Sequence, residues 1–272
     1  MMETPANYTE LNRQLWNAKT AYHVQSRFYD VEGFVGGKSS LNDVELGLLG
    51  DVQGKSILHL QCHFGQDSLS LSRLGAHVTG VDLADQAIAK ARELAAQLAL
   101  PAAFVCSDVY ELPQNLRQQF DIVFTSYGVL GWLPDLERWA GVVRSFLKPG
   151  GKLVLVEFHP VIWMFDNDFT RVQYAYFNKE TITEVETGTY ADRDAPLAHT
   201  SVSWNHDLGE VLGSLLHNGL NIKHFAEYDY SPYNCFAHMK QVGERKYRIE
   251  HLADKLPMMY SVVAAKAEES QR

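Results

Sequence analysis

From residue 55 the chain alternates short apolar runs with longer stretches of helical periodicity. SILHL (56–60) is followed by a helical stretch ending at Gly75, then by HVTGV (77–81) and ADQAIAKARELAAQLA. In that last segment Ala84, Ala87, Ile88, Ala91, Leu94, Ala95 and Leu98 recur at helical spacing, and Pro101 lies beyond its end. AAFVC (102–106) and FDIVF (120–124) predict further strands. Leu136, Trp139, Ala140, Val143 and Leu147 predict a helix stopped by Pro149-Gly150-Gly151. KLVLVEF (152–158) is nearly continuous apolar, as a strand covered on both faces requires.

Five strands separated by helices predict a doubly wound α/β fold with a mostly parallel sheet. Such sheets bind ligands in the crevice beyond the carboxyl ends of their strands. Residues 61–65, Asp82, Ser107-Asp108, residues 125–127 and residues 158–160 therefore fall along one rim.

After residue 160 the pattern changes. Residues 161–205 are rich in aromatics without a clear helix, and ITEVET with the run 174–177 predicts a β-hairpin or irregular cap. A helix resumes at 207–218, with Leu208, Val211, Leu212 and Leu215 on one face. LNIKHFAEY (220–228) and PMMYSVVAAK (257–266) predict two final strands, the second an antiparallel insertion. Residues 1–50 carry helices around 9–20 and 41–49. The expected organisation is an N-terminal helical arm or lid (1–50), a cofactor-binding core (51–160), a substrate cap (161–205) and a segment completing the sheet (206–272).

Composition narrows the class. The 272 residues are 46% hydrophobic and 21% charged, as in a soluble globular protein with ample core. No apolar run approaches the ~20 residues that span a bilayer, and the N-terminus lacks a secretory layout. Cys62, Cys106 and Cys235 are too few and scattered for a disulfide framework, so a cytoplasmic protein is expected. The net charge is −9 and no basic run exceeds Arg245-Lys246. That disfavours a nucleic-acid partner and favours a small molecule.

The first strand runs into HLQCHFGQD, with a helix beginning near Gly65. A helix N-terminus offers free N–H groups and partial positive charge. Asp82, ending the second strand, stands where a carboxylate can accept both hydroxyls of a ribose. Glycine at 65 either lets backbone approach the ligand closely or serves a tight turn. His59 and His63, on a strand and its turn, share no helical face, so no metal site is expected. Cys62 reads as a small buried hydrophobe rather than a nucleophile.

Cys106-Ser107-Asp108-Val109, Phe120-Asp121-Ile122-Val123 and the LKPGG turn (147–151), with an acid after the second strand, resemble the class I S-adenosylmethionine-dependent methyltransferase family over residues 50–160. HLQCHFGQD, LW…HV…FYDVEGF, EFHP and SWNHDLGE resemble a bacterial small-molecule subgroup of it. The resemblance implies a Rossmann-like seven-stranded sheet with an antiparallel last strand and a lid. The implied cofactor is S-adenosyl-L-methionine, yielding S-adenosyl-L-homocysteine. Gln61, Cys62, His63 and Gly65 would meet its methionine end, Asp82 with Leu83 its ribose, and Ser107, Asp108 and Val109 its adenine edge. Ser126 and Tyr127 would flank the methionine moiety. The departure lies in the first loop, where the family usually has an acid and three alternating glycines. This chain has His59, Gln61, His63 and only Gly65 there.

Methyl transfer needs mostly in-line positioning and exclusion of water, with a base only if the acceptor must lose a proton. His159, directly after the fifth strand, and His206, at the start of the late helix, are the candidate bases. Each is equally readable as a structural histidine. Tyr22, His23, Tyr29, Trp132, Tyr174 and Trp204 are candidate acceptor-side surfaces, with packing as the alternative. The expected function is methyl transfer to a nitrogen, oxygen or carbon centre of a small molecule. A non-catalytic adenosyl-ligand module and an RNA or protein methyltransferase are the alternatives. A nicotinamide oxidoreductase is disfavoured by the missing GxGxxG.

Overall fold

The computed structural model describes residues 4–268. Three helices lead: α1 (Tyr8–Gln25), α2 (Val31–Val35) and α3 (Asp43–Leu49). The core follows as β1 (Ser56–Leu60), α4 (Gln66–Arg73), β2 (His77–Asp82), α5 (Asp85–Leu98), β3 (Ala103–Cys106), α6 (Leu112–Asn115), β4 (Phe120–Ser126), α7 (Leu136–Phe146) and β5 (Leu147–Phe158). A hairpin of β6 (Ile182–Thr187) and β7 (Ala198–Ser203) comes next, then α8 (Leu208–His217) and β8 (Leu220–Tyr228). A second hairpin, β9 (Met239–Gly243) and β10 (Lys246–Ile249), precedes β11 (Met259–Lys266).

Seven strands form one sheet in the order β3-β2-β1-β4-β5-β11-β8. β1 pairs in parallel with β2 and β4, and β5 with β4, whereas β11 is antiparallel to both β5 and β8. The fold is the Rossmann-like methyltransferase fold expected, with its last strand inserted antiparallel. Alternate residues of a strand face opposite layers. Leu58 and Leu60 pack with Trp139, Val143, Val211 and Leu215 of α7 and α8, while Ile57 packs with Leu41, Leu49 and Leu71 on the other side. Coverage of both faces accounts for the unbroken apolar strands.

The chain reverses direction across the sheet at β1, running outward to β3 and then returning to β4 on the far side. The β1/β4 junction is thus the switch point, where the loops leaving the two strands diverge and open a crevice. α1 lies over that crevice with a polar buried face of Asn12, Lys19, Thr20 and His23. The Asn12 amide bonds the backbone of Val202 in both senses, at 2.8 and 2.9 Å, tying α1 to β7.

The cap differs in detail from the sequence reading. ITEVET is β6, but residues 174–177 lie in no strand and β6 pairs instead with residues 198–203. The β9–β10 hairpin, α2 and α6 carried no clear pattern. Tyr233, Cys235, Phe236, Ala237 and Arg245, from the segment expected only to complete the sheet, also line the crevice.

Candidate cofactor and acceptor site

A cavity of about 890 Å³ opens at the carboxyl ends of β1, β2 and β4, under α1 and the two hairpin segments. It lies near the top of the ~300–1,000 Å³ range of small-molecule sites.

Its floor is the loop after β1. Gln61, His63 and Gly65 take left-handed φ values of 54°, 50° and 82°. These alternating positions are where the resembled family carries glycine, so backbone shape persists although two glycines are replaced. A left-handed non-glycine residue costs about 1–2 kcal/mol, and here each side chain is anchored. Gln61 Nε2 donates to Val129 O (2.8 Å), and His63 Nε2 lies 2.8 Å from His23 Nδ1 on α1. Burial depresses His63 to about 3 and His23 to about 2, so both rings are neutral and one donates to the other. His59, likewise near 3 through burial, bonds Ser68 Oγ at 2.8 Å. No group of three or more metal-ligating side chains occurs among the described residues.

Gly65 also lines the cavity, but its missing side chain serves packing. A Cβ there would stand 2.7 Å from the Phe104 ring and 3.0 Å from Ala91 Cβ. Left-handed φ and the approach of β3 and α5 therefore require glycine, which fits the tight-turn alternative of the two. Cys62 is buried in the cavity wall, its thiol pushed well up by burial, as an inert core group would be.

Asp82 Oδ2 accepts from His63 N (2.8 Å) and Oδ1 from Ala84 N (2.9 Å), which leaves further lone pairs on a carboxylate that lines the cavity. Burial raises it to about 6 against the lowering effect of those N–H groups. Leu83, Asp108 and Val109 continue the wall. Asp108 accepts from Tyr110 N at 2.6 Å, and burial raises its carboxyl above the usual range. Ser107 is not on the wall: its Oγ donates to Asp108 O and accepts from Asn115, bracing the loop from beneath.

At the end of β4, Ser126 and Tyr127 face the same space, and Tyr127 donates its hydroxyl to Glu45 Oε2 at 2.9 Å. Sequence reasoning missed Glu157. This buried β5 carboxylate accepts from the backbone N–H groups of Gly128, Val129 (2.8 Å), Leu130 (3.0 Å) and Phe158 (2.6 Å). It pins the turn that presents Tyr127. An acid inside the apolar run KLVLVEF was the available signal.

Tyr29, Trp132, Tyr174 and Trp204 line the cavity. Tyr29 OH meets Tyr190 OH, Trp132 donates Nε1–H to Gly128 O (2.8 Å), and Trp204 donates to Thr181 Oγ1 (3.1 Å). Tyr22 does not line it, and His23 reaches it only through His63. The two candidate bases stand elsewhere. His159 follows β5, and its backbone N–H donates to Met258 O, just before β11. Its Nδ1 accepts from Val161 N (3.2 Å), so Nε2 carries the proton and donates to Glu227 Oε1 at 2.9 Å. His206 donates Nε2–H to Leu133 O (2.7 Å) and sets Nδ1 2.9 Å from Glu210. Neither lines the cavity, so the structure withdraws the positional argument for both.

Residues 57–151 match a family model described as a methyltransferase domain. A ubiquinone biosynthesis O-methyltransferase of Photorhabdus laumondii is 30% identical over 132 residues, 47% of this chain and 55% of that protein. One from Coxiella burnetii is 36% identical over 102 residues, 38% of this chain and 43% of that protein. The chain thus spans about half the length of these relatives. An S-adenosylmethionine-dependent methyltransferase from Mesorhizobium loti superposes with a TM-score of 0.55, at 21% identity, over 85% of this chain and 100% of its own. The [4+2]-cyclase SpnF superposes at 0.61, with 17% identity, over 98% and 99%. Sheet order, rim and family match together define the core as a class I S-adenosylmethionine-dependent methyltransferase domain. S-adenosylmethionine is the cofactor of that domain class.

Proposed function

We propose that the whole chain transfers the methyl group of S-adenosylmethionine to a small-molecule acceptor held beneath α1 and the cap. The carrying observation is the cavity itself: one continuous space joins the Asp82 carboxylate and the adenine-edge wall to the aromatic chamber under the arm. When bound, the cofactor supplies an activated methyl group on a sulfonium. The chain's own residues would do the rest. Asp82 offers its remaining lone pairs to the ribose hydroxyls, and Asp108 and Val109 border the adenine. The turn held by Glu157 sets Tyr127 and Ser126 against the methionine end. Trp16, Trp132 and Tyr29 exclude water and present aromatic faces that favour a positive sulfur.

A roofed cavity favours a small acceptor over RNA or protein. Among the described residues no helix is long and apolar enough to cross a membrane, and we place the reaction in the cytoplasm. The test is calorimetry with S-adenosylhomocysteine, then incubation with methyl-labelled cofactor and a metabolite extract. Tight binding without label transfer to any metabolite would leave the non-catalytic alternative standing. Absence of binding would remove the whole reading.

A further inference from the structure

Asp67, in the first turn of α4, turns its carboxylate into the cavity. It accepts from the hydroxyls of Ser40 and Ser126, the latter at 3.5 Å, and forms no ion pair among the described residues. Arg245 lowers its pKa through space, but that guanidinium bonds the carbonyls of Leu41 (3.0 Å) and Ser40 (3.1 Å). Three tyrosines that feel the Asp67 charge, Tyr29, Tyr127 and Tyr233, line the same space. Tyr127 and Tyr233 pack edge to face at 5.1 Å. Gln61 Oε1, on the same cavity wall, is a buried acceptor with no donor.

Enclosed carboxylates are stable when a positive partner joins them, and aromatic faces around a carboxylate suit an ammonium group. We propose that Asp67, walled by Tyr29, Tyr127 and Tyr233, is a binding site for an ammonium group inside the cavity. The inference rests on the methyltransferase reading for its two available sources. One is the amino group of the cofactor's methionine part, and the other is a primary amine on the acceptor. Burial raises the Asp67 carboxyl above its ordinary range, as expected of a group awaiting its counter-charge.

Calorimetry of wild type and Asp67→Asn distinguishes the sources with three probes. S-adenosylhomocysteine carries the amino group, 5′-methylthioadenosine lacks it, and phenethylamine supplies an aromatic primary amine to cofactor-loaded protein. A loss of roughly tenfold or more for S-adenosylhomocysteine alone, with methylthioadenosine unchanged, assigns the site to the cofactor. Unchanged binding of both nucleosides, with phenethylamine weakened tenfold and neutral 2-phenylethanol unaffected, assigns it to the acceptor. Equal losses for both nucleosides, or no change with any probe, overturn the proposal. Retained methylthioadenosine binding reports that the variant is folded. A wild type that binds neither nucleoside sinks the cofactor reading instead, and the site is then judged on phenethylamine alone.

Discussion

The rim of the central sheet and the arm-and-cap that roofs it are held by different kinds of contact. At the rim, side chains bond to backbone: Asp82 to two N–H groups, Glu157 to four, Gln61 to the Val129 carbonyl. Over the cavity, apart from the Asn12 amide on the Val202 backbone, side chain meets side chain across long sequence distances. Tyr29 meets Tyr190, Lys19 pairs with Glu186 at 2.5 Å, and Thr4 Oγ1 lies 3.0 Å from Thr181 Oγ1. Backbone partners are fixed by the sheet, whereas paired side chains can separate without breaking secondary structure. We therefore expect the rim to stay fixed and the roof to part and reclose.

The largest effect should come from emptying the rim. Glu157→Leu leaves four N–H groups without their acceptor and should cost about 3–5 kcal/mol in denaturant unfolding. A loss below about 1 kcal/mol would mean the rim is no more rigid than the roof. Gly65→Val, forced against Phe104 at a left-handed φ, should cost about 2–4 kcal/mol. Unaltered stability there would return the glycine to a ligand role.

Asp82→Asn should weaken S-adenosylhomocysteine binding roughly 10–100-fold at neutral pH, through loss of charge-assisted bonds. The wild type sharpens this. Ribose hydroxyls need the ionised acceptor, and burial raises Asp82 to about 6, so affinity should fall as pH drops through that value. His59, His63 and His23, near 3, 3 and 2, stay neutral throughout that window. An Asp82→Asn variant that keeps the same pH profile would exclude Asp82 as its source.

Hydrogen exchange addresses the roof directly. Added S-adenosylhomocysteine should slow exchange in α1 and in β6–β7, while the central strands β1 and β4 change little. Protection confined to residues 57–130 would refute the parting roof. The smallest effect is expected from His159→Gln. Loss of a general base costs roughly 10²–10⁴-fold in rate. With its ring committed to Glu227 and Val161, we expect unchanged single-turnover methyl transfer once an acceptor is found, and unchanged cofactor affinity.

The rim was legible because its residues follow strands at a position that local pattern marks. SILHL, HVTGV and FDIVF end within two residues of β1, β2 and β4. Asp82, Asp108 and Tyr127 then fall on the cavity by topology alone. The same rule misplaced His159, because pairing with β11 carries the chain past the crevice after β5. It could not reach Asp67 as an unpaired charge, since nothing in GQDSLSL shows which neighbours approach a helix's first turn.

By itself the sequence determined the sheet, its order of elements and the rim, since periodicity and turn residues act over a few positions. Only tertiary structure decided which aromatics face the cavity, that Gln61 and His63 hold a glycine-like backbone, and that Asp67 is enclosed without a cation. Those depend on side chains distant in sequence meeting, as Thr4 and Thr181 do across 177 positions, and such meetings leave no local period to read.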